Sequence, residues 1–216
     1  MRFNVKKIER KDYIEWIKNK HYAQRVPSVS FAYGLFEDAE LIGCLTIGKP
    51  ASNALCEGVL GKEYKQRVYE LNRLITKDGL KRNVLSWFVS KVLRELKKEN
   101  LILVSYADEG VGHCGYIYQA TNWLYTGKTK ERTDKYTPNG KHSRHYSDEF
   151  NHLRKFRTAK HRYIYFCCDK KRKKECIKKL NYKIEKYPKM ENRNYVLGER
   201  AKQKIINTIT GEIYFE

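Results

Sequence analysis

The stretch Tyr69-Glu70-Leu71-Asn72-Arg73-Leu74-Ile75-Thr76, the helical pattern from Arg82 to Lys98, and the run Leu101-Ile102-Leu103-Val104-Ser105-Tyr106-Ala107 that stops at Asp108 together decide the fold. A short apolar strand, a helix and a second, wholly apolar strand read as a βαβ unit with a buried, parallel pairing. Downstream, Gly110-Val111-Gly112-His113-Cys114-Gly115 leads into a short helical run, Tyr116 to Ala120, and then a further strand, Trp123 to Gly127. Sites in such sheets open at the carboxyl ends of the strands. Asp108, His113 and the tyrosines fall at that edge. On the long helix, Leu85, Phe88, Val89, Val92, Leu93 and Leu96 share one side, the pattern of a helix packed on a sheet.

Working outward, Tyr13, Ile14, Trp16 and Ile17 give Asp12 to Lys20 helical spacing, and His21 to Ser28 is a loop by its proline and polarity. Ser30 to Phe36 and Leu41 to Ile47 form an antiparallel hairpin around an acidic turn. Asn53 to Arg67 reads as loop with one short helix. Residues 128–160 are basic and aromatic, a functional excursion rather than a connection. Tyr163 to Phe166 resumes the sheet, Lys170 to Lys179 is a basic helix, and two strand-like runs flank Thr210-Gly211. The expected division is a catalytic domain over 1–168, including the excursion at 128–160, and a basic helix and tail over 169–216.

Composition narrows the partners. Of 216 residues 45 are Lys or Arg and 25 Asp or Glu, a net charge of +20. On a compact body, that excess favours a polyanion. A merely lysine-rich surface is the alternative, but arginines and aromatics accompany the lysines here. The 41% of apolar residues can fill a core. There is no run of about 18 apolar residues, so no membrane span is expected. The first residues lack the apolar core of a signal peptide, so a cytoplasmic chain with six reduced cysteines is expected. No CxxC pair occurs, which argues against structural zinc.

The order helix, hairpin, strand, long helix, buried strand, short helix, strand is that of an acetyltransferase-type (GNAT-like) α/β domain with a mixed sheet. There two parallel strands splay apart and a cofactor lies in the split, its pyrophosphate on the amides that open the long helix. Arg73, Lys81, Arg82, Asn83 and Ser86 are the candidate cofactor-binding residues, and acetyl-CoA or a related acyl donor is the expected cofactor. An ordinary Asn-capped helix start is the alternative reading of Asn83. Asp108, at the mouth of a buried strand, is either functional or the cap of the next short helix. The glycines after it allow backbone to approach a ligand. Glu70 interrupts an apolar strand. By strand alternation, it and Arg73 point to opposite sides. His21-Tyr22 serves acid-base chemistry if its loop folds over the strand mouths.

Tyr69-Glu70-Leu71-Asn72-Arg73-Leu74, Val104 to Asp108, Gly112 to Ala120 with Asn122-Trp123, and His161-Arg162-Tyr163-Ile164-Tyr165-Phe166 together resemble the Mom family of phage DNA-modification proteins. His21-Tyr22 and Pro50-Ala51-Ser52 also sit where that family has similar residues. The resemblance covers roughly residues 10–167. It implies an acetyltransferase-like enzyme that converts the N6 amine of adenine in DNA to a methylcarbamoyl derivative, protecting phage DNA from restriction. Fe(II) is associated with the family, though the sequence shows no ligand triad.

An enzyme acting on a base must extrude it or take it single-stranded, with cations for the phosphates and aromatics for the base. His113, Tyr116, Lys128, Lys130, Arg132, Lys141, Arg144 and Arg154 are the candidate DNA-binding residues. His21, Tyr22, Asp108 and Tyr118 are the candidate catalytic ones, since adenine N6 is a poor nucleophile that needs proton removal. Two other readings stand beside this one. An N-acyltransferase acting on a small molecule or protein is disfavoured by the charge. The other is a non-catalytic nucleic-acid-binding module of the same fold.

Overall fold

The computed structural model describes residues 2–136, 148–191 and 196–216. Seven strands form the main sheet: β1 (Phe3–Lys7), β2 (Phe31–Glu37), β3 (Glu40–Gly48), β4 (Val68–Thr76), β5 (Ile102–Asp108), β6 (Leu124–Lys128) and β9 (Lys160–Phe166). Their spatial order is β1-β2-β3-β4-β5-β9-β6. All neighbours are antiparallel except β4 and β5, the parallel pair expected from the two apolar runs. That pairing covers Val68–Glu70 against Ile102–Val104 and then ends, so the two strands part toward their carboxyl ends. β1 was not anticipated, although Phe3 and Val5 alternate with polar neighbours as a half-buried strand requires.

Five helices cover the sheet. α1 (Arg10–Glu15) continues as a wider, π-type turn over Trp16–Lys20. α2 (Asn53–Leu60) starts at Ser52, whose hydroxyl accepts from the Leu55 N–H. It is followed by a tighter turn over Lys62–Arg67, so the segment expected as loop with one short helix is mostly helical. α3 (Val84–Glu95) is the long helix, α4 (Tyr116–Ala120) the short one, and α5 (Lys170–Lys179) the basic one, capped by Asp169.

On one face, Phe88, Val89, Val92 and Leu93 of α3 pack on Leu45, Leu71, Leu103, Trp123 and Tyr163. Truncating a buried ring such as Phe88 to alanine removes about 3–5 kcal/mol. The other face carries α2 and α5 against Val68, Ile102, Val104 and Ile164, with Tyr13, Trp16 and Ile17 of the first helical segment on Cys44 and Ile75. Leu85 departs from the expected core stripe: it is half-buried and lines a cleft. The split between β4 and β5, with α3 on one face and α1 and α2 on the other, is the mixed α/β architecture of an acetyltransferase-type domain.

The excursion is more ordered than a loop. β7 (Arg132–Lys135) and β8 (Leu153–Arg157) form a hairpin, and the chain end adds β10 (Lys204–Asn207) and β11 (Ile213–Phe215). The resulting four-stranded sheet, ordered β11-β10-β8-β7, joins the excursion to the tail. Tyr136, Leu153 and Ile205 form its small core. Lys141 and Arg144 lie outside the described residues, as do His142, His145 and Tyr146.

Candidate active site

A cleft of about 1090 Å³ passes through the split between β4 and β5. Where the strands part, backbone groups need new partners. Ser105 supplies one: its Oγ lies 2.7 Å from the Leu71 carbonyl oxygen and 2.7 Å from the Tyr118 hydroxyl. Tyr118 lines the cleft, as the sequence led one to expect. Its burial pushes the phenol up to about 12, so it keeps its proton at neutral pH.

The opening of α3 forms one part of the cleft, with Lys81, Arg82, Asn83 and Ser86 on its wall. Asn83 takes a left-handed backbone (φ 69), and its side chain makes no capping bond. The ordinary Asn cap is therefore not what is built. Ser86 Oγ donates to the Asn83 carbonyl at 3.0 Å. An uncapped helix start flanked by two cations fits a pyrophosphate. Beyond Glu70, β4 has no strand partner on its cleft side among the described residues. That edge suits an amide-bearing ligand.

On the other face, a bulge in β4 decides which side chains share the cleft. Thr46 pairs with Arg73 and Ile47 with Leu71, leaving Asn72 as the extra residue of β4. Asn72 is held by Thr46 Oγ1 at 2.7 Å and donates to the Ser28 carbonyl at 2.9 Å. One inserted residue reverses the alternation after it. Glu70 and Arg73 therefore share a face, and the expectation of opposite sides is corrected. Glu70 is a site residue that the sequence flagged without assigning. It lines the cleft, and burial pushes its carboxyl up although Arg73 and Lys160 oppose this. Tyr106 stands beside it, its phenol also pushed up by burial. Arg73, expected as a cofactor ligand, lies in this part of the cleft and donates to the Arg25 carbonyl at 2.6 Å.

His21 and Tyr22 do fold over the strand mouths. The π-type turn ends with the His21 N–H bonded to the Trp16 carbonyl, five residues back, at 3.1 Å. That extra residue per turn sets His21 into the cleft wall, where it is 4% exposed. Its Nδ1 accepts from the Ala23 N–H at 3.0 Å, which puts the proton of the neutral ring on Nε2. Burial first, then Arg73 and His113, push the imidazole down to about 3. The Tyr22 ring stacks on His21 with centroids 4.3 Å apart, and meets His113 edge-on at 5.8 Å. His113 and the exposed Tyr116 line the same cleft. Burial pushes the His113 imidazole down, partly offset by Asp108.

Asp108 has the geometry of a cap. Its carboxylate accepts from the Gly110 N–H at 3.0 Å, from Thr158 Oγ1 and from Lys160 Nζ. Burial alone would raise its carboxyl. Lys160 and the three hydrogen bonds outweigh that and hold it below the usual range. Lys160 and Thr158 line the cleft, so Asp108 acts on it through them.

The next residue, Glu109, contacts His161 Nε2 at 2.9 Å and Lys128 at 2.9 Å, while His161 Nδ1 meets the Tyr125 hydroxyl at 2.9 Å. The loop that carries His113 is thereby tied to β6 and β9. Gly115 of that loop serves packing, since a Cβ there would stand 2.3 Å from the Tyr163 ring.

Of the DNA-binding candidates, Lys130 and Arg132 line the cleft, joined by Arg157 of β8. Lys128 is turned to Glu109, and Arg154 sits on β8 opposite Lys135 and Ile206. Among the described residues, no group of three or more His, Cys, Asp or Glu offers a ligand set for Fe(II). No helix of the described residues is long and apolar enough to cross a membrane.

A split mixed sheet thus carries a cleft that joins an uncapped helix start to a His-Tyr-His cluster. The chain belongs to the Mom protein family, whose model matches residues 2–189. It is 32% identical over 115 residues to the methylcarbamoylase mom of Escherichia phage Mu, covering 51% of this chain and 48% of that one. The chain thus spans about half the length of the curated relative it matches. Among solved structures, an N-acetyltransferase from Staphylococcus aureus Mu50 superposes with a TM-score of 0.48 at 12% identity, covering 77% of this chain and 99% of that one. A GNAT family acetyltransferase from Elizabethkingia anophelis, with acetyl-CoA bound, gives 0.42 at 10% identity, covering 76% and 97%.

Proposed function

We propose that this protein transfers a methylcarbamoyl group to the N6 amine of adenine in DNA. The observation that carries the reading is the continuous cleft, in a chain of the Mom family, that joins an uncapped helix start beside Lys81 and Arg82 to the half-buried carboxyl of Glu70 and the rings of Tyr22 and Tyr118. Lys81, Arg82 and the first amides of α3 suit the pyrophosphate of an acyl-CoA-type donor, with the open edge of β4 beside it. Such a donor, bearing the methylcarbamoyl group as a thioester, would supply an activated carbonyl whose C–S bond breaks as the bond to N6 forms, the sulfur leaving as a thiol.

The chain's own residues handle the base. Tyr22, stacked on His21, offers a ring face to an extruded or single-stranded adenine. His21, neutral and protonated at Nε2, is a donor that orients rather than a base. Glu70, whose raised carboxyl is better matched to neutral pH, accepts the N6 proton. Tyr118 keeps its proton and is the candidate acid. Lys130, Arg132 and Arg157 meet the phosphates, so the second sheet, made from the excursion and the tail, forms the DNA-facing unit. Restriction protection tests the reading. DNA from cells expressing the protein should resist nucleases whose sites contain adenine, and full digestion would count against it.

A further inference from the structure

We propose that Arg25, Lys155, Arg157 and Arg200 form a cradle for the backbone phosphate beside the nucleotide whose base enters the cleft. The proposal rests on the DNA-modification reading above. Lys155 and Arg157 lie two apart on β8 and therefore on one face, and Arg157 lines the cleft. Two hydrogen bonds hold the loops that carry the other two arginines beside residues of the same cleft. The Ala201 N–H donates to the Tyr22 carbonyl at 3.1 Å, which sets Arg200 next to the base-binding loop. Arg73, which lines the cleft, donates to the Arg25 carbonyl at 2.6 Å, which sets Arg25 beside the cleft. Lys155 and Arg157 are half-buried, and Arg25 and Arg200 exposed, a floor and a rim.

The charges there are unbalanced. Asp134 is shared between Arg157 at 2.7 Å and Arg132 at 3.3 Å. Among the described residues no carboxylate forms an ion pair with Lys155. Burial, then Arg157, Arg200 and Arg25, push its ammonium down to about 8, partly offset by Asp134. Asp134, opposite Lys155 in the β7–β8 register and bonded to Arg157, offsets one of these four like charges and leaves the group net positive. A phosphodiester supplies a single negative charge with acceptor oxygens that suit guanidinium forks. Because Arg200 lies next to the Tyr22 backbone, a phosphate held there fixes the sugar of the stacked nucleotide. Arg200 lies beyond residues 2–189, so the cradle draws on a part of the chain that the family model does not match.

The test uses a short thymidine strand carrying a single adenosine, with natural phosphates or with neutral methylphosphonates flanking the adenosine. For wild type, neutralisation should weaken binding by about tenfold, the scale of losing a charge-assisted hydrogen bond. Arg25→Gln/Arg200→Gln should weaken binding of the natural strand by about as much, and neutralisation should then add nothing. Both side chains are exposed, so the fold is kept, and a melting curve checks this. Losses that multiply would overturn the proposal. So would an equal loss from Lys170→Gln/Lys171→Gln on α5, or failure of the wild type to bind the strand. Nucleoside analysis of the same wild-type protein reads the modification separately. A missing adduct with the expected binding pattern sinks the enzymatic reading and leaves the cradle standing; an adduct with multiplying losses does the reverse.

Discussion

Ser105 Oγ stands 2.7 Å from the carbonyl oxygen of Leu71, and that contact marks where β4 and β5 stop pairing. The split that forms the cleft is stabilised by a side chain replacing a backbone donor. Ser105→Ala leaves a buried carbonyl short of a partner, at a cost of about 1–3 kcal/mol. In a chain of this size each kcal/mol lowers Tm by about 2–4 °C. An unchanged melting curve would show that Leu71 finds another donor.

Asp108→Asn should act on stability first. The amide still accepts from Gly110, but Lys160 loses its charged partner in a partly buried site, at roughly 1–3 kcal/mol. Because the folded carboxyl is depressed, its contribution is present above the ordinary value near 3.8 and is lost as pH falls through the lower folded value. Modification should persist in the fraction that stays folded. A variant that melts like wild type yet modifies nothing would make Asp108 a catalytic group.

Glu70→Gln should behave in the opposite way. Burial disfavours the carboxylate, so a neutral amide of the same shape should leave stability at neutral pH unchanged or higher. Adduct formation should fall by roughly a hundredfold or more, the usual scale for a lost base. Full activity in this variant removes Glu70 from the chemistry.

His21 makes stability depend on acid. Its folded value near 3 lies below the ordinary 6.5, so the unfolded chain binds more protons between the two. Stability contributed by this ring is complete above about 6.5 and declines toward pH 3, by up to roughly 1 kcal/mol per pH unit. Denaturant midpoints measured across that window should fall less steeply for His21→Asn, whose carbonyl can still accept from Ala23. Identical slopes would place the acid sensitivity elsewhere.

The parallel pair, the hairpin, α3 and α5 were legible because local apolar periodicity encodes them. Three features that build the site were not. The bulge at Asn72 depends on Thr46 and Ser28, which are distant in sequence, and without it Glu70 and Arg73 appear to diverge. The π-type turn that delivers His21 follows an ordinary helical pattern, and its extra residue shows in the bond to Trp16 alone. The pairing of Ile205 with Lys155 joins tail to excursion across some fifty residues, with no local signal. By contrast, His21, Tyr22, His113, Tyr116 and Tyr118 reach the cleft as the motifs implied. Asp108 remains behind it as a cap.

The central claim is that adenine in DNA leaves this cleft altered. Mass spectrometry of nucleosides from DNA of cells expressing the wild type tests it most directly, with Glu70→Gln as the paired control. The wild-type sample should contain a deoxyadenosine heavier by one methylcarbamoyl group, and the variant at least a hundredfold less of it. Unmodified deoxyadenosine throughout, from a folded and DNA-binding protein, would contradict it.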